Sequence, residues 1–142
     1  MGLFRCSTNG GGGGSLTPTT LWSNNSPSTN FPSSGTSTTQ VNLSDDIDNY
    51  TYLKFKFNRS TTDTTNQAEV IYTVEEFKKF TANSSKFMGA VAFYSSTGTS
   101  NNYSRRFWYV SNTKVAISVM YQIGGTYSDN GAGIPTEIIG LK

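Results

Sequence analysis

The stretch Tyr52-Leu-Lys-Phe-Lys-Phe-Asn58 alternates with a period of two: Leu53, Phe55 and Phe57 fall on one side of an extended chain, Tyr52, Lys54 and Lys56 on the other. Successive side chains of a β-strand point to opposite faces, so this is the pattern of a strand with one face on a core and one in water. Downstream, "AEVIYTV" (68–74) reads as a second strand, and "KFMGAVAFYSS" (86–96), more continuously apolar, as a strand in a central position. Between them, "EEFKKF" (75–80) places Phe77 and Phe80 three apart, which predicts one or two helical turns. The clearest hairpin follows: "RRFWYV" (105–110), the turn "SNTK" (111–114), and "VAISVMY" (115–121), in which Val115, Ile117, Val119 and Tyr121 alternate. The chain closes on "IPTEIIGLK" (134–142), whose Pro135 lacks a ladder donor and belongs at a strand start or on an edge.

Strands at this spacing, with no repeated helices between them, indicate an all-β fold: an antiparallel β-sandwich, jelly-roll-like, over residues 21–142. An extended N-terminal arm, residues 1–20, precedes it. Within that arm "STNGGGGGSLTPTT" (7–20) reads as a linker, because five consecutive glycines offer nothing to bury. As a flexible coil it would reach on the order of 20 Å. The polar segment from Ser23 to Thr39 is expected to hug the domain, with Phe31 as its anchor.

Composition narrows the function. Of 142 residues only 14% are charged, for a net charge of +2, and 13% are aromatic. A polyanion binder carries a basic stripe; here Lys78-Lys79 and Arg105-Arg106 are isolated doublets, read as solvated faces, and no nucleic-acid partner is expected. No apolar run is long enough to span a bilayer, so no membrane insertion is expected. The single cysteine, Cys6, rules out an intrachain disulfide.

The same residues argue against an enzyme. There is no histidine, which removes the commonest general base and metal ligand. Cys6 sits beside the glycine run, away from any base that could orient it. The acidic cluster in "SDDIDNY" (44–50) lacks the spaced glycine and terminal glutamate of a Ca²⁺ loop, and reads as a turn whose carboxylates cap backbone amides. Glu75-Glu76 has no second carboxylate placed across a cleft from it. No catalytic residue, cofactor or metal is therefore expected.

Binding features remain. Gly2, Leu3, Phe4, Arg5 and Cys6 form a short apolar and basic head on the glycine tether, read as a peptide that docks on a partner. Met1-Gly2 resembles an acylation signal, but Cys6 stands where Ser or Thr is required. Tyr103, Trp108 and Tyr127 are candidates for a glycan or partner surface, since aromatic rings offer large faces at little entropic cost. Only one alternating set of "RRFWYV" can face a core, and burial in the core or a subunit interface is the favoured reading for Trp108.

Four stretches, "TTLWSNNSPSTNF" (19–31), "VNLSDDIDNYTYLKFKF" (41–57), "NYSRRFWYVSNTKVAIS" (102–118) and "IPTEIIGLK" (134–142), carry a resemblance. Taken in this order, the chain resembles small β-rich structural proteins of tailed bacteriophages of gut Gram-positive bacteria. The resemblance covers about residues 20–142, and the closing motif is its most specific part. It implies a virion component, such as a head fibre, capsid decoration or tail-tip module, and it assigns no site residue. On this reading the chain is located in the virion, contacts other capsid or tail proteins through residues 2–6, and assembles as a homo-oligomer, a trimer being the favoured form. The alternative is a receptor- or carbohydrate-binding adhesion module that takes a host surface glycan.

Overall fold

The computed structural model of the chain describes residues 14–33, 38–65, 68–82, 89–94, 102–122 and 130–142. Its strands are β1 (Pro18–Ser23), β2 (Thr39–Asn42), β3 (Tyr52–Ser60), β4 (Ala68–Thr73), β5 (Gly89–Tyr94), β6 (Asn102–Ser111), β7 (Lys114–Gln122) and β8 (Ala132–Leu141). They form two four-stranded antiparallel sheets, ordered β1-β8-β3-β4 and β2-β7-β6-β5. The fold is the expected all-β sandwich. Its outer strands nest as in a jelly roll, β1 with β8 and β2 with β7, whereas the inner ones close as the hairpins β3-β4, β5-β6 and β6-β7.

The stretch 52–58 behaves as its alternation requires. Leu53, Phe55 and Phe57 are buried, and Lys54 and Lys56 lie on the outer face, paired with Glu69 at 3.3 Å and Glu137 at 2.7 Å. Across the sandwich Phe55 stacks on Phe107 of β6 with ring centroids 4.4 Å apart. Burying each such ring stabilises by roughly 1.5–3 kcal/mol. The short helix α1 (Val74–Phe77) lays Phe77 into the same core, and Phe80 packs edge-on against it at 5.9 Å. Thr73 and Glu76 close its N-terminus as a reciprocal capping box, which commits the Glu76 carboxylate to backbone.

Several expectations are corrected. β1 starts at Pro18, so the domain begins within the segment read as linker. β5 is an edge strand of the described sheet, not a central one, because apolar continuity reports on covered faces and not on ladder neighbours. Pro135 is buried inside the central strand β8; it is tolerated there because it falls at the bulge between the Lys56–Glu137 and Phe57–Pro135 pairs, where no ladder donor is needed. The alternation of β7 also breaks at a bulge, where Ser118 and Val119 together oppose Arg106, and Met120 rather than Val119 joins the core cluster.

Candidate functional site

Of the residues singled out from the sequence, Gly2, Leu3, Phe4, Arg5, Cys6 and Tyr127 lie outside the described residues. Tyr103 falls in β6, paired with Phe93 of β5 and Gln122 of β7. Trp108 is half-buried opposite Ala116 and stands outside the core cluster, whereas its neighbour Phe107 is fully buried.

Three polar assemblies stand out instead. The first is built on the acidic turn. Asp46 caps a 3-10 turn over Ile47–Asn49 by accepting from the Asp48 amide at 2.8 Å. Asp45 accepts from the Asp46 amide, the Asn49 amide group and the Tyr50 hydroxyl at 2.8–2.9 Å. Asp48 pairs with Lys78 and accepts from Asn112 Nδ2 at 2.9 Å. Asn112 also donates to Asp46 and accepts from the Tyr109 hydroxyl, so the whole turn is fastened to the β6–β7 turn. The Tyr50 hydroxyl and the Asp46 amide hold the Asp45 carboxylate below its usual value, and Lys78 does the same for Asp48. In return Asp48 raises Lys78, while burial and the bond to Asp45 raise the Tyr50 phenol. The cluster read as amide-capping from the sequence does that.

The second assembly was missed. Arg105, read as solvated, is fully buried. Its guanidinium donates to the carbonyls of Gly133 at 2.9 Å, Ser118 at 2.8 Å, Ala132 at 2.7 Å, and Phe31, and lies 5.8 Å over the Phe31 ring. Gly133 takes φ 55°, a left-handed value that suits glycine, in presenting its carbonyl there. Phe31 in turn packs on the core and edge-on against Trp22 at 6.0 Å, which makes it the anchor expected of it. Strand parity was the available signal: if Phe107 faces inward, so does Arg105.

The third is an open groove of about 450 Å³ at one end of the outer face of the β1-β8-β3-β4 sheet. Ser23, Asn58, Thr64, Thr136 and Glu137 line it, and the segment carrying Asn24, Pro27 and Ser28 walls it. No single stretch of sequence announces this site, because four separate segments contribute to it.

The stretches that carry the sequence resemblance also meet. Ser44 donates its amide to the Leu21 carbonyl at 2.9 Å, Asn24 reaches the Pro135 carbonyl at 2.9 Å, and the Tyr50 ring lies flush on Gly140, where a Cβ would come within 2.5 Å of it. Lys142 Nζ sits 5.1 Å from the centre of the same ring. These motifs are a joint of the fold. Compared with known proteins, the chain matches no protein-family model, and the search of curated proteins gives no match either.

Proposed function

We propose that the chain is a structural component of a bacteriophage virion, a head fibre, capsid decoration or tail-tip module, with no bond-making chemistry of its own. Residues 2–6 attach it to capsid or tail proteins, the glycine run spaces it, and the sandwich projects outward, as a homotrimer in the favoured assembly. The observation that supports this reading best is the way the arm joins the body. Thr17 exchanges backbone hydrogen bonds with Lys142, at 2.7 and 3.3 Å, and the chain then enters β1 along β8. A load on the arm is therefore shared along a ladder and not taken by a loose loop. Among the described residues, the carboxylates of Asp45, Asp46, Asp48, Asp63, Glu69, Glu76 and Glu137 are each engaged by a backbone amide, a hydroxyl, an amide side chain or a cation, while Glu75 lies exposed.

Deleting residues 1–15 leaves β1 intact and is expected to abolish incorporation into particles while the domain stays soluble and folded. Unchanged incorporation would remove the tether, and imaging of purified particles checks the position directly. A receptor- or carbohydrate-binding adhesion role is the second reading, favoured by the polar groove beside β8.

A further inference from the structure

We propose that the β1–β8 ladder is a directional mechanical clamp: it holds when the arm is pulled against the far end of the sandwich and unzips when the arm is pulled against Lys142. Its use rests on the virion reading, in which the arm carries the attachment. The ladder starts where the arm enters. Thr17 and Lys142 exchange both backbone bonds, and the pairing runs on through Pro18–Leu141, Thr19–Gly140 and Ser23–Glu137 to Asn24, which donates its amide to the Thr136 carbonyl at 2.9 Å. Bonds between antiparallel strands lie perpendicular to the strands. A pull along β1 toward the arm therefore loads all of them together, in shear. A pull that separates Thr17 from Lys142 loads them one pair at a time, from the end inward.

Sliding of β1 is opposed at several points. Leu21 is the unpaired residue of the bulge between Thr20 and Trp22, and it is 2% exposed within the core, so β1 cannot slip along β8 without drawing it out. A slip by one residue would also turn the side chains of β1 to the wrong faces. Beyond β1 the chain is tied again. Asn24 Nδ2 donates to the Pro135 carbonyl at 2.9 Å, the Phe31 amide to the Asn130 carbonyl at 3.0 Å, and the Phe31 carbonyl accepts from the buried Arg105 guanidinium. Pro18 does not weaken the ladder: one residue on from the bonded pair Thr17–Lys142, its nitrogen faces away from β8 and no donor is missed. On its other side β8 is held by β3 along a longer ladder, from Tyr52–Leu141 to Ser60–Ala132, so β1 is the strand that gives first. An outward contact at the end carrying Ser60 and Ala132 therefore loads the clamp in its strong direction.

The test is single-molecule force spectroscopy on the full chain at one loading rate, with Cys6 as the first handle. The second handle is either Thr64→Cys, an exposed position at the far end beside Ser23 and Asn24, or a cysteine appended after Lys142. Pulling Cys6 against position 64 is expected to take at least about twice the force of pulling it against the appended cysteine, since bonds loaded together resist more than bonds loaded in turn. Thr19→Pro removes a ladder donor, because Thr19 lies two residues from the bonded Thr17–Lys142 pair, and Leu21→Ala removes the side chain that plugs the core. Each should lower the far-end force and bring the two directions closer together. Should Leu21→Ala fail to fold, Thr19→Pro, on an edge strand, decides alone. Equal forces in the two directions, or the larger force against the appended cysteine, overturn the clamp. A difference that the substitutions leave unchanged overturns its assignment to β1. Directional resistance in a chain whose incorporation survives deletion of residues 1–15 keeps the clamp and removes its role in the virion, so the two fail separately.

Discussion

The Arg105 node and the acidic turn do the same job in different surroundings. Each fastens irregular chain to the sandwich: Arg105 holds the Phe31 segment and the start of β8, and the Asp45–Tyr50 turn is held to the tip of the β6–β7 hairpin. The first does so from full burial, the second largely in contact with water. In a low-dielectric interior a guanidinium without its carbonyls, or those carbonyls without it, is heavily penalised. At the surface, water replaces a lost partner and salt screens what charge remains. Adjacent arginines make the same point within one strand, since Arg105 is structural and Arg106 is partly solvated.

If burial is what separates the two networks, Arg105→Ala should destabilise the domain by about 3–5 kcal/mol, the cost of breaking a buried charged network. That is a large share of the 5–15 kcal/mol available to a domain. Arg105→Lys should recover little, because an ammonium cannot reproduce the planar fork of donors. Urea denaturation checks both, and a loss below about 1 kcal/mol would place the node with surface pairs.

Gly140→Ala tests the seam between the acidic turn and β8. Its Cβ would meet the buried Tyr50 ring at 2.5 Å, a ring that has Asp45 and Lys142 on its other contacts and little room to move. An overpacking cost of about 1–3 kcal/mol is expected, read as a lower thermal midpoint. Tyr50→Leu in the same background should restore part of it.

The acidic turn itself should respond mainly to pH. Asp45 and Asp48 titrate below their usual value in the folded protein, so the stability they contribute is present at neutral pH. It is lost as pH falls from the ordinary carboxylate range, about 3.9, through the lower folded values. Asp45→Asn with Asp48→Asn should lower the neutral-pH midpoint, converge with the parent protein in acid, and so flatten that acid limb. For the Lys78–Asp48 pair, high salt should weaken the contribution, whereas the penalty of Arg105→Ala should persist in salt. An acid limb unchanged in the double variant would mean that other carboxylates set it.

Much of this molecule was legible before any coordinates. The alternation in 52–58 placed three residues in the core, and "SDDIDNY" was readable as an amide-capping turn because Asp side chains reach backbone only a few residues away. Arg105 was half legible: parity put it on the Phe107 face, but charge argued for water, and only the four carbonyls converging from distant segments reverse that argument. Pro135 misled for a related reason, since a bulge cancels the need for its missing donor and bulges depend on the partner strand.

By itself the sequence determined which faces are buried, where the chain turns, and that the architecture is stranded, because side-chain alternation and turn chemistry are local properties of the backbone. The tertiary structure alone decided which strands are neighbours, where β7 and β8 bulge, that an arginine sits in the interior, and that Asn58 and Thr136 share a groove. Those features depend on hydrogen-bond registers and enclosed space between segments up to a hundred residues or so apart, as in the Asn24–Pro135 bond, and no local period encodes them.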